Sequence, residues 1–163
     1  MFPGIEKNLA REMPVGMGQA VVTREPARLT SILGSCVAIT MYAPKLQLGI
    51  LSHVVLPNAN GSVAVPAKFA DSAVPYMISV MQDRGVKLGE LVAKVAGGAC
   101  MFGGGRFMDI GEHNARVAIA ELEAAHIPII GRDIAGNVGR RICFDLSTGT
   151  LTVESPGHPS RII

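Results

Sequence analysis

The sequence predicts an α+β fold of layered sheets, mixed or antiparallel and sandwich-like, with two main helices packed outside. Three observations carry this expectation. Most apolar stretches are short and bounded by turn residues. Only two windows, residues 67–84 and 111–125, carry helical spacing. Strands outnumber helices and are joined mainly by short turns, which argues against a doubly wound parallel sheet.

After a polar, Pro-containing lead-in, residues 16–24 and 28–33 read as short strands separated by the breaker Glu25-Pro26. Arms at 36–42 and 48–56 form a hairpin that turns within Tyr42-Ala43-Pro44-Lys45-Leu46-Gln47. Alternation places Val37, Ile39, Met41, Leu48, Ile50 and Val54 on the face expected to be core. Cys36, Ala38, Thr40, Tyr42, Gln47, Gly49, Leu51 and His53 take the other face. Asn58-Ala59-Asn60-Gly61-Ser62 is a loop by composition. In the first helix, Phe69, Ala73, Tyr76, Met77, Val80 and Met81 fall near helical spacing, Gly85 is the stop, and Pro75 marks a kink or the true start. A strand at 91–96 leads into Gly97-Gly98-Ala99-Cys100-Met101-Phe102-Gly103-Gly104-Gly105, a segment suited to close backbone approach. The second helix is followed by a strand at 127–133 and the Gly136-Asn137-Val138-Gly139 turn. A hairpin of 140–146 and 150–154 around Ser147-Thr148-Gly149 completes the chain.

A chain of 163 residues is enough for one domain, residues 1–163, with its core at about 15–154. Mean hydropathy is +0.36 and aromatics make up 4%, so the core rests on aliphatic residues and Met. A net charge of +2 without basic runs excludes a nucleic-acid footprint. The cysteines, at 36, 100 and 143, show no C-x-x-C spacing, which speaks against a zinc site or disulfide framework and for a reducing cytoplasm. The amino terminus does not read as a secretion signal, and residues 46–67 are too often interrupted by polar residues and prolines to insert in a membrane. The glycine-rich segment lacks the Gly-Lys-Ser/Thr of a phosphate loop, so no nucleotide is expected, and hydrolysis by a thiol and an imidazole needs no metal or organic cofactor.

The chemistry concentrates at the hairpin. The midpoint of Cys36 and His53 falls between Pro44 and Lys45, so a turn centred there sets the two directly opposite, with Cβ atoms about 4.5–5.5 Å apart. A thiol with a pKa of about 8.5 needs a base or a cation to become a nucleophile at neutral pH, and His53 can serve as either. Thr30, six residues before Cys36, is a candidate to orient the imidazole. Backbone N–H groups around Ser35 and Cys36, freed by Gly34, are candidates for an oxyanion hole. The ordinary alternatives are a core cysteine and a strand histidine satisfied by a backbone carbonyl.

Thr30, Gly34-Ser35-Cys36, His53 and Leu56-Pro57 together resemble the signature of the CheD chemoreceptor glutamine deamidases. Lys94–Phe102, Ile110–Asn114, Gly139-Arg140-Arg141 and Ser147-Thr148-Gly149 are similar to later blocks of that family, in order, so the likeness covers roughly residues 15–154. The resemblance implies a fold related to deamidating-toxin cysteine hydrolases. It implies hydrolysis of receptor glutamine amides by Cys36 as nucleophile, His53 as base and acid, and Thr30 as orienting residue. It further implies chemotaxis receptors as substrate and a CheC-type phosphatase as regulator. His113 stands where the family usually has Arg, and Ala135-Gly136 where Gly-Gly is usual, which touches partner or receptor contacts. His113 is expected to be a helix-surface or capping residue. A receptor glutamine on a helix calls for a shallow, open site beside residues 58–64. The rival class is a regulatory binding module without turnover, and transfer to an amine or peptide cleavage would use the same nucleophile.

Overall fold

A computed structural model describes residues 10–24, 26–103 and 109–163; Glu25 of the expected break, Gly104 and Gly105, and residues 1–9 of the lead-in lie outside the described residues. The first half of the chain forms β1 (Arg11–Pro14), β2 (Ala20–Thr23), β3 (Ala27–Leu33), β4 (Val37–Ala43), β5 (Leu48–Val54) and helix α1 (Ala70–Asp83). The second half forms β6 (Val92–Gly97), helix α2 (Ile110–Ala124), β7 (Ile129–Ile134), β8 (Arg140–Asp145), β9 (Leu151–Glu154) and β10 (Arg161–Ile162). They make two five-stranded sheets, ordered β1-β3-β8-β9-β10 and β2-β5-β4-β6-β7. β1 with β3 and β6 with β7 pair in parallel, and the other pairings are antiparallel.

Side-chain alternation decides how these layers stack. Both faces of β4 and β5 are buried, whereas β3 exposes Arg28 and Ile32. The expected core face, with Val37, Ile39, Met41, Leu48, Ile50 and Val54, packs under Met77 and Met81 of α1 and Ala118 and Leu122 of α2. The other face is core as well: Ala38, Tyr42 and Leu51 meet Leu29, Leu33, Ile142 and Phe144 of the first sheet. Each fully buried Leu, Ile, Phe or Met contributes about 1.5–3 kcal/mol. The order of layers is therefore helices, second sheet, first sheet. Tyr42 ties the two sheets, its Oη donating to Leu146 O at 2.8 Å and its ring meeting Phe144 edge-on at 5.9 Å.

Several elements differ from the expectation for local reasons. Gly16–Gln19 forms a turn ahead of β2, closed by Gln19 N donating to Gly16 O at 3.0 Å. Arg11-Glu12-Met13-Pro14, which has no strand alternation, pairs at the sheet edge, where proline is tolerated. α1 runs through Pro75, which lies on the exposed face, where the carbonyl it leaves unpaired can be hydrated. Gly85, at φ 86°, ends the helix as expected. No helix among the described residues is long and apolar enough to cross a membrane.

Candidate active site

The hairpin register places Cys36 and His53. Pro44–Leu46 forms a short 3-10 turn, and Gln47 takes a left-handed φ of 47°, so Ala43 pairs with Leu48. His53 therefore opposes Ala38 instead of Cys36. The pairing has moved by two residues along β4, an even shift that leaves every side chain on its expected face. Cys36 lies one step beyond the Val37–Val54 pair, and continuing that register sets His53 diagonal to it, at a typical spacing of about 7–8 Å. Both side chains occupy the face between the two sheets.

His53 is 3% exposed and held on three sides. Its N–H donates to Gln19 O at 2.9 Å, and its carbonyl accepts from Gly18 N at 2.8 Å. Nδ1 lies 3.0 Å from Val15 O, which also accepts from Ser31 Oγ at 2.7 Å. A carbonyl only accepts, so Nδ1 carries a proton, and in the neutral ring the lone pair is at Nε2. Nε2 is buried and has no hydrogen-bond partner among the described residues. His53 and Cys36 thus share the face between the two sheets.

Thr30 enters differently from the expectation. Parity along β3 sets it on the face of exposed Arg28 and Ile32, while Leu29, Ser31 and Leu33 point inward. Its contribution is main-chain: Thr30 O accepts from Val15 N at 2.8 Å. Thr30 and Ser31 grip Val15 by its N–H and its C=O respectively, and Val15 orients His53. Sequence reasoning missed Val15, because a backbone carbonyl has no side-chain signature. Ser31 did leave a signal, being a polar residue at an inward position between Leu29 and Leu33.

The turn carrying Cys36 is pinned from outside the hairpin. Ala99 N donates to Gly34 O at 3.0 Å, Gly98 N to Cys36 O at 2.9 Å, and Asn114 Nδ2 to Ser35 O at 3.1 Å. The contact is close enough that Gly97, at φ 111°, has no room for a Cβ, which would overlap Cys36 O. At Gly111, in the first turn of α2, an added Cβ would lie 2.6 Å from Ala99 O, so the helix also rests directly on this segment. Cys36 is 9% exposed, and burial pushes its thiol pKa up. His113 sits half-buried on α2, with its N–H donating to Asp109 O at 3.0 Å as part of the helix start. After β5, residues 60–65 are exposed, Val63 at 87%. No group of His, Cys, Asp and Glu suited to a metal ion occurs among the described residues.

A thiol and an imidazole on one buried face, beside pinned backbone, are the equipment of nucleophilic acyl transfer. Comparison with known proteins agrees with the signature carried by these residues. Residues 55–155 match the family model described as CheD chemotactic sensory transduction. A probable chemoreceptor glutamine deamidase CheD of Moorella thermoacetica is 37% identical over 94% of this chain and 96% of its own length. The chain belongs to the CheD family. CheD relatives of the same name in Desulforamulus reducens and Syntrophomonas wolfei are each 37% identical, over 93% and 95% of this chain and 95% and 100% of theirs. Among solved structures, YlmD from Geobacillus stearothermophilus aligns with 71% of the chain and 50% of its own, at 18% identity and a TM-score of 0.47.

Proposed function

We propose that this CheD protein hydrolyses glutamine side-chain amides on chemotaxis receptors, releasing ammonia and leaving glutamate, in the cytoplasm. The observation that carries the reading is His53, its Nδ1 held by Val15 O and its Nε2 without a partner among the described residues, on the same face as the Cys36 thiol. Cys36 Sγ attacks the amide carbon while Nε2 takes the thiol proton. The carbonyl oxygen becomes an oxyanion facing the N–H groups of Ser35 and Cys36. His53 then delivers that proton to the departing nitrogen, which leaves as ammonia, and a thioester remains. Water adds to the thioester with Nε2 as base, giving glutamate and restoring the thiol. Thr30 acts as a positioning residue through its carbonyl, which holds Val15. The exposed loop 60–65 gives a receptor helix room to approach.

The resemblance to the family adds a CheC-type phosphatase as regulator, bound without entering the chemistry. Mass spectrometry of receptor fragments incubated with the protein tests the reading. Each converted glutamine gains about 1 Da, and thiol chemistry requires that Cys36→Ala and His53→Ala abolish the gain. Conversion that persists in Cys36→Ala removes the assigned nucleophile. Receptor binding with no conversion by the wild type favours a regulatory module instead.

A further inference from the structure

Asn114 is fully buried in α2, yet it belongs to neither helix packing alone nor the thiol–imidazole pair. Its Nδ2 donates to Ser35 O at 3.1 Å and to Val55 O at 3.0 Å. Both partners are carbonyls, so the amide orientation is fixed: nitrogen toward the hairpin, oxygen away. Oδ1 is buried without a partner among the described residues. An apolar side chain of similar shape would avoid that orphaned acceptor, so the donor is what the position retains.

The two carbonyls bracket the reacting residue. Ser35 precedes Cys36, and Val55 follows Val54 of the last ladder pair, so one amide nitrogen bridges the two strands just past Val37–Val54. A trans peptide is planar, with its C=O and N–H pointing in opposite directions. Holding Ser35 O against Asn114 therefore aims the Cys36 N–H away from α2. In the same way, Ala99 holding Gly34 O aims the Ser35 N–H. We propose that Asn114 is a positioning residue that fixes the Ser35–Cys36 peptide so that the Cys36 N–H meets the developing oxyanion. The inference rests on Cys36 being the nucleophile of amide hydrolysis.

Two reactions of the intact protein separate this role from a merely structural one. Deamidation of receptor fragments builds an oxyanion, whereas alkylation of Cys36 by iodoacetamide displaces iodide at a saturated carbon and builds none. Asn114→Ala, with far-UV circular dichroism unchanged, is expected to lower kcat roughly tenfold to a hundredfold with KM little changed. That is below the loss of about 10²- to 10³-fold on deleting an oxyanion donor outright. Alkylation should stay within about threefold of wild type, since no donor takes part in it. Asn114→Leu, which keeps a similar volume and loses the donor, should behave alike and is the variant to read if alanine unfolds the protein. Unchanged kcat, a parallel fall in both reactions, or failure of both variants to fold overturns the proposal. Cys36→Ala run beside them distinguishes the two claims: deamidation that survives it defeats the nucleophile assignment, whatever Asn114 does.

Discussion

Gly97→Ala isolates the contact between the β6 end and the nucleophile turn. The new Cβ would overlap Cys36 O and lie 3.2 Å from both Val37 Cα and Leu33 Cδ1. Two of those three neighbours are backbone, which cannot rotate away. The residue must also hold a φ of 111°, which costs a side-chain-bearing residue about 1–3 kcal/mol. Overpacking against fixed neighbours adds about 1–3 kcal/mol, so the loss is roughly 2–6 kcal/mol of a stability typically near 5–15. For a domain of this size 1 kcal/mol moves Tm by roughly 2–4 °C, so a loss of about 3 kcal/mol means a fall of roughly 6–12 °C. Circular dichroism melts measure it, with Gly89→Ala as control, because a Cβ there meets nothing within 4 Å. Relief of the overlap would shift the Ser35–Cys36 turn, so deamidation should fall even well below Tm. A Gly97→Ala melt within about 2 °C of wild type would refute the close-contact argument, given the per-kcal scale above.

The grip on Val15 predicts a contrast between neighbours. Thr30→Val keeps the main-chain acceptor and should leave kcat within about threefold of wild type, since the orientation of the imidazole passes through Val15 here. Ser31→Ala removes a buried hydrogen bond worth about 1 kcal/mol and should lower kcat more than Thr30→Val does, as measured by ammonia release. The reverse order would mean that the Thr30 hydroxyl reaches the imidazole. Alkaline stability reports the buried thiol. The folded state keeps the Cys36 proton after the unfolded chain has lost it, so stability is complete below the ordinary thiol pKa and declines as pH rises through it. Urea midpoints at pH 7.5 and 10 should therefore differ less in Cys36→Ala than in wild type, and equal differences would contradict the raised value.

The layers were legible because alternation survives errors of register. Taking the turn at Pro44-Lys45 missed the left-handed Gln47, but the pairing error was even, so Val37 and Ile39 still faced the helices and Cys36 and His53 still shared the other side. β1 and β10 were not legible: one owes its pairing to an edge beside β3, and the other is two residues long. Within the site, the thiol and the imidazole were readable as side chains. What holds them is mainly backbone: Val15 O at Nδ1, Gly98 and Ala99 N–H on the Cys36 turn, and the Thr30 carbonyl behind Val15. Such contacts depend on which segments approach one another, and no residue type announces them. Asn114 stood inside a recognisable block, but its reach to Ser35 O and Val55 O required knowing that α2 docks on the end of the hairpin.

The resting electrostatics constrain the order of events on the proposed reading. Burial raises the Cys36 pKa, and the group fixed at His53 Nδ1 is a neutral carbonyl, not a carboxylate. A thiolate–imidazolium pair formed in advance would place two charges in a desolvated edge with no buried counter-charge at Nδ1, a cost of several kcal/mol per ion offset only by their mutual attraction. Proton transfer to Nε2 is cheaper when coupled to attack, because negative charge then moves from sulfur to the amide oxygen, where aligned N–H groups receive it. Reactivity toward an amide thus depends on a substrate carbonyl reaching that position. A site built this way spares the thiol from chance oxidation, since the thiolate is the reactive form, while remaining competent once a receptor glutamine is seated.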